Sequence, residues 1–357
     1  SFIIGIICRI IPDRVKFLKE LITLLTTLFL FIFSIIFFNQ KLSFSTNFFL
    51  VDSLSCFVFI GITFFGLIIT IYSMVYMKGR EFLNRYYAYI LWTLSSAIGS
   101  VFSNNLILFS FFWGFLGITL YLLVNLGGEE ASLPAKKTFI IVGGSDSFLI
   151  LGIAILWILK KSFLITDMGL DITDGLGISA FLCLLVASLA KAGAMPFHTW
   201  IPEISQKAPT PVMAFLPASL DKLLGIYLLS RMCMDIFHFH AGLWFLLRFI
   251  GAFTIVAAVM MALIQHNMMK LLSYHAVSQV GYMVLGIATA NPIGIAGGLF
   301  HMINNAIYKC ALFLGAGSVE KEVGTSELEN LGGLGKFMPF TFITFLLSSL
   351  AISGVPP

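Results

Sequence analysis

The sequence has little charge: only 11% of its 357 residues are Asp, Glu, Lys or Arg, where a soluble chain carries about 25%. Apolar residues make up 59%. These values exclude a disordered chain and argue against a soluble enzyme. Lys and Arg outnumber Asp and Glu by only 21 to 17, so there is no concentrated basic field for nucleic acid. The composition is that of a polytopic membrane protein.

The sequence also lacks the residue sets that hold cofactors. Its 5 cysteines stand singly, mostly in apolar stretches, and we interpret them as small hydrophobic residues between helices. They are Cys8, Cys56, Cys183, Cys233 and Cys310. No nucleotide-binding loop, flavin fingerprint, zinc pair or iron–sulfur cysteine set occurs. We therefore expect no cofactor and no metal in this chain.

Long apolar runs predict an all-α transmembrane bundle with about twelve spans. A helix needs about 20 apolar residues to cross a bilayer, and these runs do not alternate as β-barrel strands do. The segments are 1–11, 17–38, 54–77, 86–103, 106–126, 138–159, 175–195, 212–233, 242–264, 271–290, 293–317 and 338–357. We treat 1–357 as a single membrane domain. We expect both ends to be truncated, because the chain starts at Ser1 and stops inside an apolar run.

The basic residues predict the orientation in the membrane. Loops after odd-numbered segments hold 13 Lys and Arg residues, whereas loops after even-numbered segments hold 5. The more basic loops stay in the cytoplasm or matrix. The bias predicts an integral protein of an inner or cytoplasmic membrane with its N-terminus outside.

A lysine at membrane depth precedes a predicted helix break. Proline removes a backbone donor and clashes one turn back, so Pro196 predicts that the seventh helix breaks or stops at about Lys191. Carbonyl groups exposed by such a break can hold water beside the amine. The alternative is a lysine that snorkels to the interface from a helix end.

Two further ionisable residues lie ten positions into the eighth segment. Asp221 and Lys222 are adjacent, so on a helix they point about 100° apart and do not simply pair with each other. Each needs a partner or water on another helix. The alternative is that Lys222 is a structural counter-ion for Asp221 or Asp146. For Asp146 itself, which has small neighbours, we favour helix packing over a proton site.

The eleventh segment carries a polar stripe. His301, Asn305 and Lys309 are spaced by four residues, which stacks them on one helix face over roughly 12 Å. An imidazole, an amide and an amine at these steps suit a water-filled proton path. A lone histidine is usually a satisfied core residue, but three polar groups on one stripe are less often so.

Three blocks of sequence resemble one family. They are residues 191–203 (KAGAMPFHTWIPE) with 208–212 (APTPV), residues 270–282 (KLLSYHAVSQVGY) with 300–309 (FHMINNAIYK), and residues 332–339 (GGLGKFMP) with 353–357 (SGVPP). The chain resembles the antiporter-like, proton-conducting subunits of respiratory complex I, most closely the type of subunit L. The superfamily includes Mrp-type Na⁺/H⁺ antiporters and membrane-bound hydrogenases, which these motifs separate poorly.

The resemblance implies two inverted five-helix repeats with proline-broken helices. It implies that 1–85 are N-terminal spans, 86–233 the first repeat and 242–357 an incomplete second repeat. Lys191 matches the lysine of the first broken helix, and Pro356 and Pro357 match the second break. His301 and Lys309 match polar residues of a central hydrophilic axis.

The chain departs from the family at three positions. The fifth span has Gly114 where the family usually has a carboxylate that tunes the first lysine, and Pro217 and Asn305 replace histidines. Our hypothesis is that Asp221 supplies the substitute charge for Lys191.

The resemblance implies a proton-translocating subunit of an NADH:quinone oxidoreductase, whose proton pathway contains Lys191, Asp221, Lys222, His301, Asn305 and Lys309. Its implied partners are other membrane subunits, peripheral redox subunits, the lipid bilayer and H⁺. One alternative is an Mrp-type antiporter or hydrogenase subunit that moves Na⁺, with Asp221, Asp146, Ser219 and Asn305 as sparse candidate ligands. Another is a structural subunit without an active channel.

Overall fold

The predicted helical bundle is present in the computed structural model, which describes residues 1–12, 15, 17–80, 82–239 and 241–355. Every one of the twelve predicted segments contains a helix. The helices are α1 (Phe2–Ile10), α2 (Leu18–Asn39), α3 (Ser53–Tyr76), α4 (Leu83–Phe102), α5 (Leu106–Asn125), α6 (Glu129–Lys160), α7 (Gly175–Ala192), α8 (Trp200–Ile204), α9 (Thr210–Phe215), α10 (Asp221–Arg231), α11 (Ala241–Leu263), α12 (Met268–Ala288), α13 (Pro292–Val323) and α14 (Pro339–Ile352).

The membrane-spanning helices alternate in direction. The loops that follow odd-numbered segments meet at one end of the bundle, and those that follow even-numbered segments meet at the other. At one end, the antiparallel pair β1 (Phe44–Ser45) and β2 (Leu50–Val51) lies near the parallel pair β3 (Leu170–Asp171) and β4 (Phe237–His238). The side chain of Asn104 links these loops by donating to the carbonyl of Thr46 over 2.7 Å and to Thr166 over 3.3 Å.

The opposite end gathers the more basic loops. Lys137 pairs with Glu203 at 3.0 Å, and Lys207 pairs with Glu130. The amide of Asn267 donates to Ser326 over 2.8 Å, which joins the start of α12 to the loop after α13. The loops that the sequence distinguishes by their larger number of Lys and Arg residues therefore meet at one end of the bundle.

Burial places one helical stretch at the centre. All residues from Thr210 to Met232, which cover α9 and α10, are buried, whereas only about a quarter of the most apolar part of α2 and of α11 is buried. Eight helical stretches of the described residues are long and apolar enough to cross a membrane. The charged residues of α10 thus lie in the middle of the protein, away from its lipid-facing surface.

Two of the stretches that depart from regular α-helix lie next to the buried lysines of α7 and α10. Helix α7 ends at Ala192, where Gly193 adopts the left-handed conformation (φ +77°), and a 3₁₀ turn at Phe197–Thr199 leads to α8. This confirms the break predicted from Pro196. The sequence analysis did not anticipate the wide turn at Leu216–Leu220, where a π-helix that contains Pro217 joins α9 to α10.

Other predictions have a different outcome or none. Helices α6 and α13 are each 32 residues long and extend beyond the predicted spans 138–159 and 293–317. Pro356 and Pro357, the predicted second break, lie outside the described residues. The division at 85 and 242 into repeats stays a prediction.

Candidate functional site

The centre of the candidate site is the start of α10. Asp221 and Lys222 are both buried, and neither oxygen of the Asp221 carboxylate has a hydrogen-bond partner in the part of the chain that the structure describes. The Lys222 amine donates to the carbonyl of Ala192 over 3.5 Å, at the broken end of α7. The two residues interact electrostatically, but no ion pair joins them among the described residues. This agrees with the prediction that they point in different directions.

Lys191 precedes Ala192, the residue whose carbonyl accepts from Lys222, at the broken end of α7. It is wholly buried, donates to the carbonyl of Trp113 on α5 over 3.4 Å, and has its amine 5.0 Å from the centre of the Trp113 ring. Its charge interacts with both Asp146 on α6 and Asp221 on α10. Burial at this depth argues against the interfacial, snorkelling alternative.

Lys309 on α13 is the third buried lysine of the candidate site. Its buried amine donates to the carbonyl of Leu272 on α12 over 3.2 Å and interacts electrostatically with Lys222. One turn earlier on α13, Asn305 is wholly buried, and neither end of its side-chain amide has a hydrogen-bond partner among the residues that the structure describes. Buried polar atoms of this kind usually have ordered water or another polar group as a hydrogen-bond partner.

His301 faces a separate cavity. It shares the α12-facing side of α13 with Lys309, because its ring packs edge-on against Tyr282 of α12 at 5.7 Å. It also lines a cavity of about 410 Å³ between α13 and α14. The stripe predicted from the four-residue spacing is therefore formed, but His301 lies apart from the row of lysines.

Two ionisable residues join the site that the sequence analysis left without a proton role. Asp146 lies beside α5: a Cβ placed on Gly117 would be 3.5 Å from its Oδ2. His275 on α12 interacts electrostatically with Lys309, and its Nδ1 is buried without a partner. The signal for both was present, since each is an ionisable residue at membrane depth.

The site is thus a row of ionisable groups, four of them buried and two half-buried, whose neighbours interact in turn. It runs through Asp146, Lys191, Asp221, Lys222, Lys309 and His275. The three lysines donate to backbone carbonyls, and the carboxylates keep unpaired oxygen atoms. Acids and bases that are close but not locked in ion pairs can exchange protons through water. An arrangement of this kind suits proton transfer along the membrane plane.

The family models match almost the whole chain. Residues 103–357 match the transmembrane family of NADH:quinone oxidoreductase and Mrp antiporter subunits, and residues 37–87 match the N-terminus of chain 5 of complex I. The chain belongs to this family.

Curated relatives in this family are identical to this chain at about one residue in three. It is 31% identical to the chloroplast NAD(P)H-quinone oxidoreductase subunit 5 of Chaetosphaeridium globosum, over 100% of this chain and 58% of that protein. It is 34% identical to NAD(P)H-quinone oxidoreductase chain 5 of Picosynechococcus sp., over 86% of this chain and 48% of that protein. The chain spans about half the length of these relatives.

Two solved structures share the fold. One is the archaeal membrane-bound sulfane sulfur reductase, with a TM-score of 0.86 and 22% identity over 99% of this chain and 76% of the other. The second is the Mrp complex of Dietzia sp., with a TM-score of 0.87 and 21% identity over 98% of this chain and 42% of the other. This member of the family therefore has the fold of an antiporter-like membrane subunit.

Proposed function

We propose that this chain is a proton-translocating membrane subunit of a complex-I-like NAD(P)H:quinone oxidoreductase. The observation that carries the proposal is the row of interacting ionisable groups from Asp146 to Lys309, combined with membership of the family. Ionisable groups at membrane depth cost several kcal/mol unless they serve a water-filled path or a partner. Electron transfer takes place in partner subunits, and this chain holds no cofactor of its own.

In the proposed mechanism, protons move between neighbouring members of the row. Burial favours a neutral amine, whereas a nearby carboxylate favours the charged one. A change in hydration or in the distance from Lys191 to Asp146 or Asp221 therefore makes Lys191 release or accept a proton. Lys222 and Lys309 relay it across the bundle, and Asn305 and His301 extend the path through water along α13.

The setting of this subunit follows from the same proposal. It resides in an inner or cytoplasmic membrane with its N-terminus outside, because the more basic loops gather at one end of the bundle. Its partners are further membrane subunits and peripheral redox subunits, and the ion that it moves is H⁺.

The test begins with gentle isolation of the assembled complex from its native membrane and identification of its subunits. In inverted vesicles, we would measure proton uptake by quenching of an acridine dye, with NADH or NADPH as donor and a soluble quinone as acceptor. Lys191→Met, Lys222→Met and Lys309→Met should each slow uptake at least tenfold, the usual contribution of a positioned acid or base. Lys136→Met, at an exposed position of α6, serves as the control.

The outcomes separate the candidate functions. Flavin or iron–sulfur subunits in the complex, together with slow uptake in the three variants, would support the proposal. Isolation with membrane subunits alone, and exchange of Na⁺ for H⁺ without a donor, would contradict it and indicate an antiporter. Normal uptake in all three lysine variants would contradict any proton-carrying role for the row.

A further inference from the structure

We propose that His275 is a proton-carrying residue of this subunit and exchanges a proton with Lys309. The inference rests on the proposed function and extends it to a residue for which the family motifs gave no role. Its starting point is that His275 and Lys309 are on different helices, α12 and α13, yet their side chains interact electrostatically.

Helix geometry brings the two groups to the same level. The Lys309 amine donates to the carbonyl of Leu272, over 3.2 Å. Helix carbonyls point toward the C-terminus, whereas side chains lean toward the N-terminus. The imidazole of His275, three residues after Leu272, therefore leans back over the turn whose carbonyl accepts from Lys309.

The imidazole has the attributes of a proton acceptor. Its Nδ1 is buried and has no partner among the described residues, although the residue as a whole is only half-buried. One edge of the ring thus faces the interior while another part remains accessible. Because two adjacent cations repel, protonation of one group favours the neutral form of the other. The pair is suited to hold one proton and to pass it between its members.

Position within the bundle indicates where this proton goes. His275 is the eighth residue of α12, so its Cα lies about 10 Å from the end of that helix. That end carries the basic loops and the contact between Asn267 and Ser326. The ring of the adjacent Tyr274 lies 6.3 Å from that of His198, a further titratable group near this part of α12. His275 therefore connects the row to the basic, cytoplasmic half of the bundle.

The experiment uses the assembled complex in inverted vesicles and the dye assay described above. His275→Gln keeps the size and hydrogen-bonding capacity of the side chain but does not titrate, and we expect it to slow proton uptake at least tenfold, in line with the usual contribution of a positioned acid or base. His275→Ala should be equally slow, and added imidazole should restore part of its rate. His266→Gln is the matched control, since His266 is exposed and pairs only with Glu329 at the surface.

Epistasis with Lys309 gives a second readout. If His275 acts through Lys309, His275→Gln should add no loss to Lys309→Met, which a purely structural role does not predict. Normal uptake in His275→Gln, or a slow His275→Ala variant that imidazole does not restore, would overturn the inference. In either case, slow uptake in Lys309→Met would leave the proposed function standing, whereas normal uptake in all three lysine variants would contradict both.

Discussion

At the scale of single residues, the environment of Lys191 shows how this chain departs from its family. Position 114, where the family places a carboxylate, is glycine, but carboxylates from α6 and α10 interact with Lys191 instead. Our sequence hypothesis assigned the substitution to Asp221 alone. The structure adds Asp146, which lies beside α5 next to Trp113 and Gly117. The carboxylate that is missing from α5 at position 114 is thus replaced near Lys191 by Asp146 on α6 and Asp221 on α10.

This arrangement predicts that a carboxylate restored on α5 can replace Asp146. Asp146→Asn keeps the shape but removes the charge, and we expect proton uptake to fall about tenfold, the effect of one pKa unit on a transferring group. Position 114 is the place for Gly114→Glu, because a Cβ there meets no atom within 4 Å and a side chain can start without a clash. The double variant should recover most of the uptake rate, measured in inverted vesicles.

Two comparisons complete this prediction. Gly114→Gln in the Asp146→Asn background adds the same volume without charge and should give no recovery. Asp221→Asn should also be partly rescued by Gly114→Glu if both carboxylates act on Lys191. Unchanged uptake in Asp146→Asn would show that Asp146 serves helix packing, as the sequence analysis favoured.

A second prediction for a single residue concerns the buried guanidinium of Arg231 at the C-terminal end of α10. Arg231 donates to both oxygens of Asp52 at 2.6 and 2.8 Å and to Asp235 at 2.8 Å. Loss of one partner from a buried ion pair costs about 3–5 kcal/mol. We expect Arg231→Met to cost about 3 kcal/mol, the low end of that range, because the side chains of Asp52 and Asp235 remain 31% and 34% exposed. Thermal unfolding of the purified complex measures this.

The same cluster predicts a pH dependence. Burial raises the pKa of Asp52, but the hydrogen bonds and charge of Arg231 lower it more, so that the pKa lies below its usual value. The pair therefore stabilises the folded protein above about pH 4, the usual pKa of an aspartate, and its contribution is lost as the pH falls through the lowered pKa. Arg231→Met should remove this component of acid unfolding, whereas Lys136→Met should retain it. Identical acid profiles for Arg231→Met and wild type would contradict the assignment.

At the scale of helices, close packing of α7 against α10 sets the position of Lys222. A Cβ on Gly225 would lie 2.6 Å from the backbone nitrogen of Ala192, too close for any side chain. The hydroxyl of Ser188 on α7 donates to the carbonyl of Gly225 on α10 over 2.8 Å. This hydrogen bond also holds the two helices together. The glycine therefore lets the broken end of α7 approach the amine of Lys222.

The corresponding prediction is that Gly225→Ala separates the two helices. Overpacking of this kind typically costs about 1–3 kcal/mol, and displacement of α10 should lengthen the contact between Lys222 and Ala192. We expect a lower melting temperature together with slower proton uptake. Gly144→Ala on α6 is the matched control, because Gly144 is exposed and a Cβ there meets no atom within 4 Å. Full activity in Gly225→Ala would show that this approach is not needed.

The helices also show what the sequence can and cannot predict. Apolar runs and Pro196 predicted the spans and the break in α7, because both signals are local along the chain. The π-helix at Leu216–Leu220 was not predicted, although Pro217 marks it. The interaction between His275 and Lys309 was also missed. It depends on how α12 packs against α13, and this is not encoded in the spacing of either helix.

At the scale of the whole molecule, the distribution of charge and burial forms one pattern. The buried stretch from Thr210 to Met232 carries Asp221 and Lys222 at the centre. The interacting charges extend from it to α6 on one side and to α12 on the other. Such a row lies across the helices, so it can join paths that open at different faces. The direction of transport then depends on which end of the bundle faces the cytoplasm.

The last prediction tests this orientation. Thr173 lies in the loop between α6 and α7, and Gln206 lies in the loop before α9, at the opposite, more basic end; both are exposed. Each is changed to cysteine, and vesicles are treated with a membrane-impermeant maleimide; the unmodified protein gives the background from its native cysteines. The positive-inside rule predicts that Thr173→Cys is labelled from outside and Gln206→Cys only in inverted vesicles. The reverse pattern would place the N-terminus inside and would put the basic end, with Lys309 and His275, on the side that releases protons. Labelling of both from one side would contradict the alternation of the helices itself.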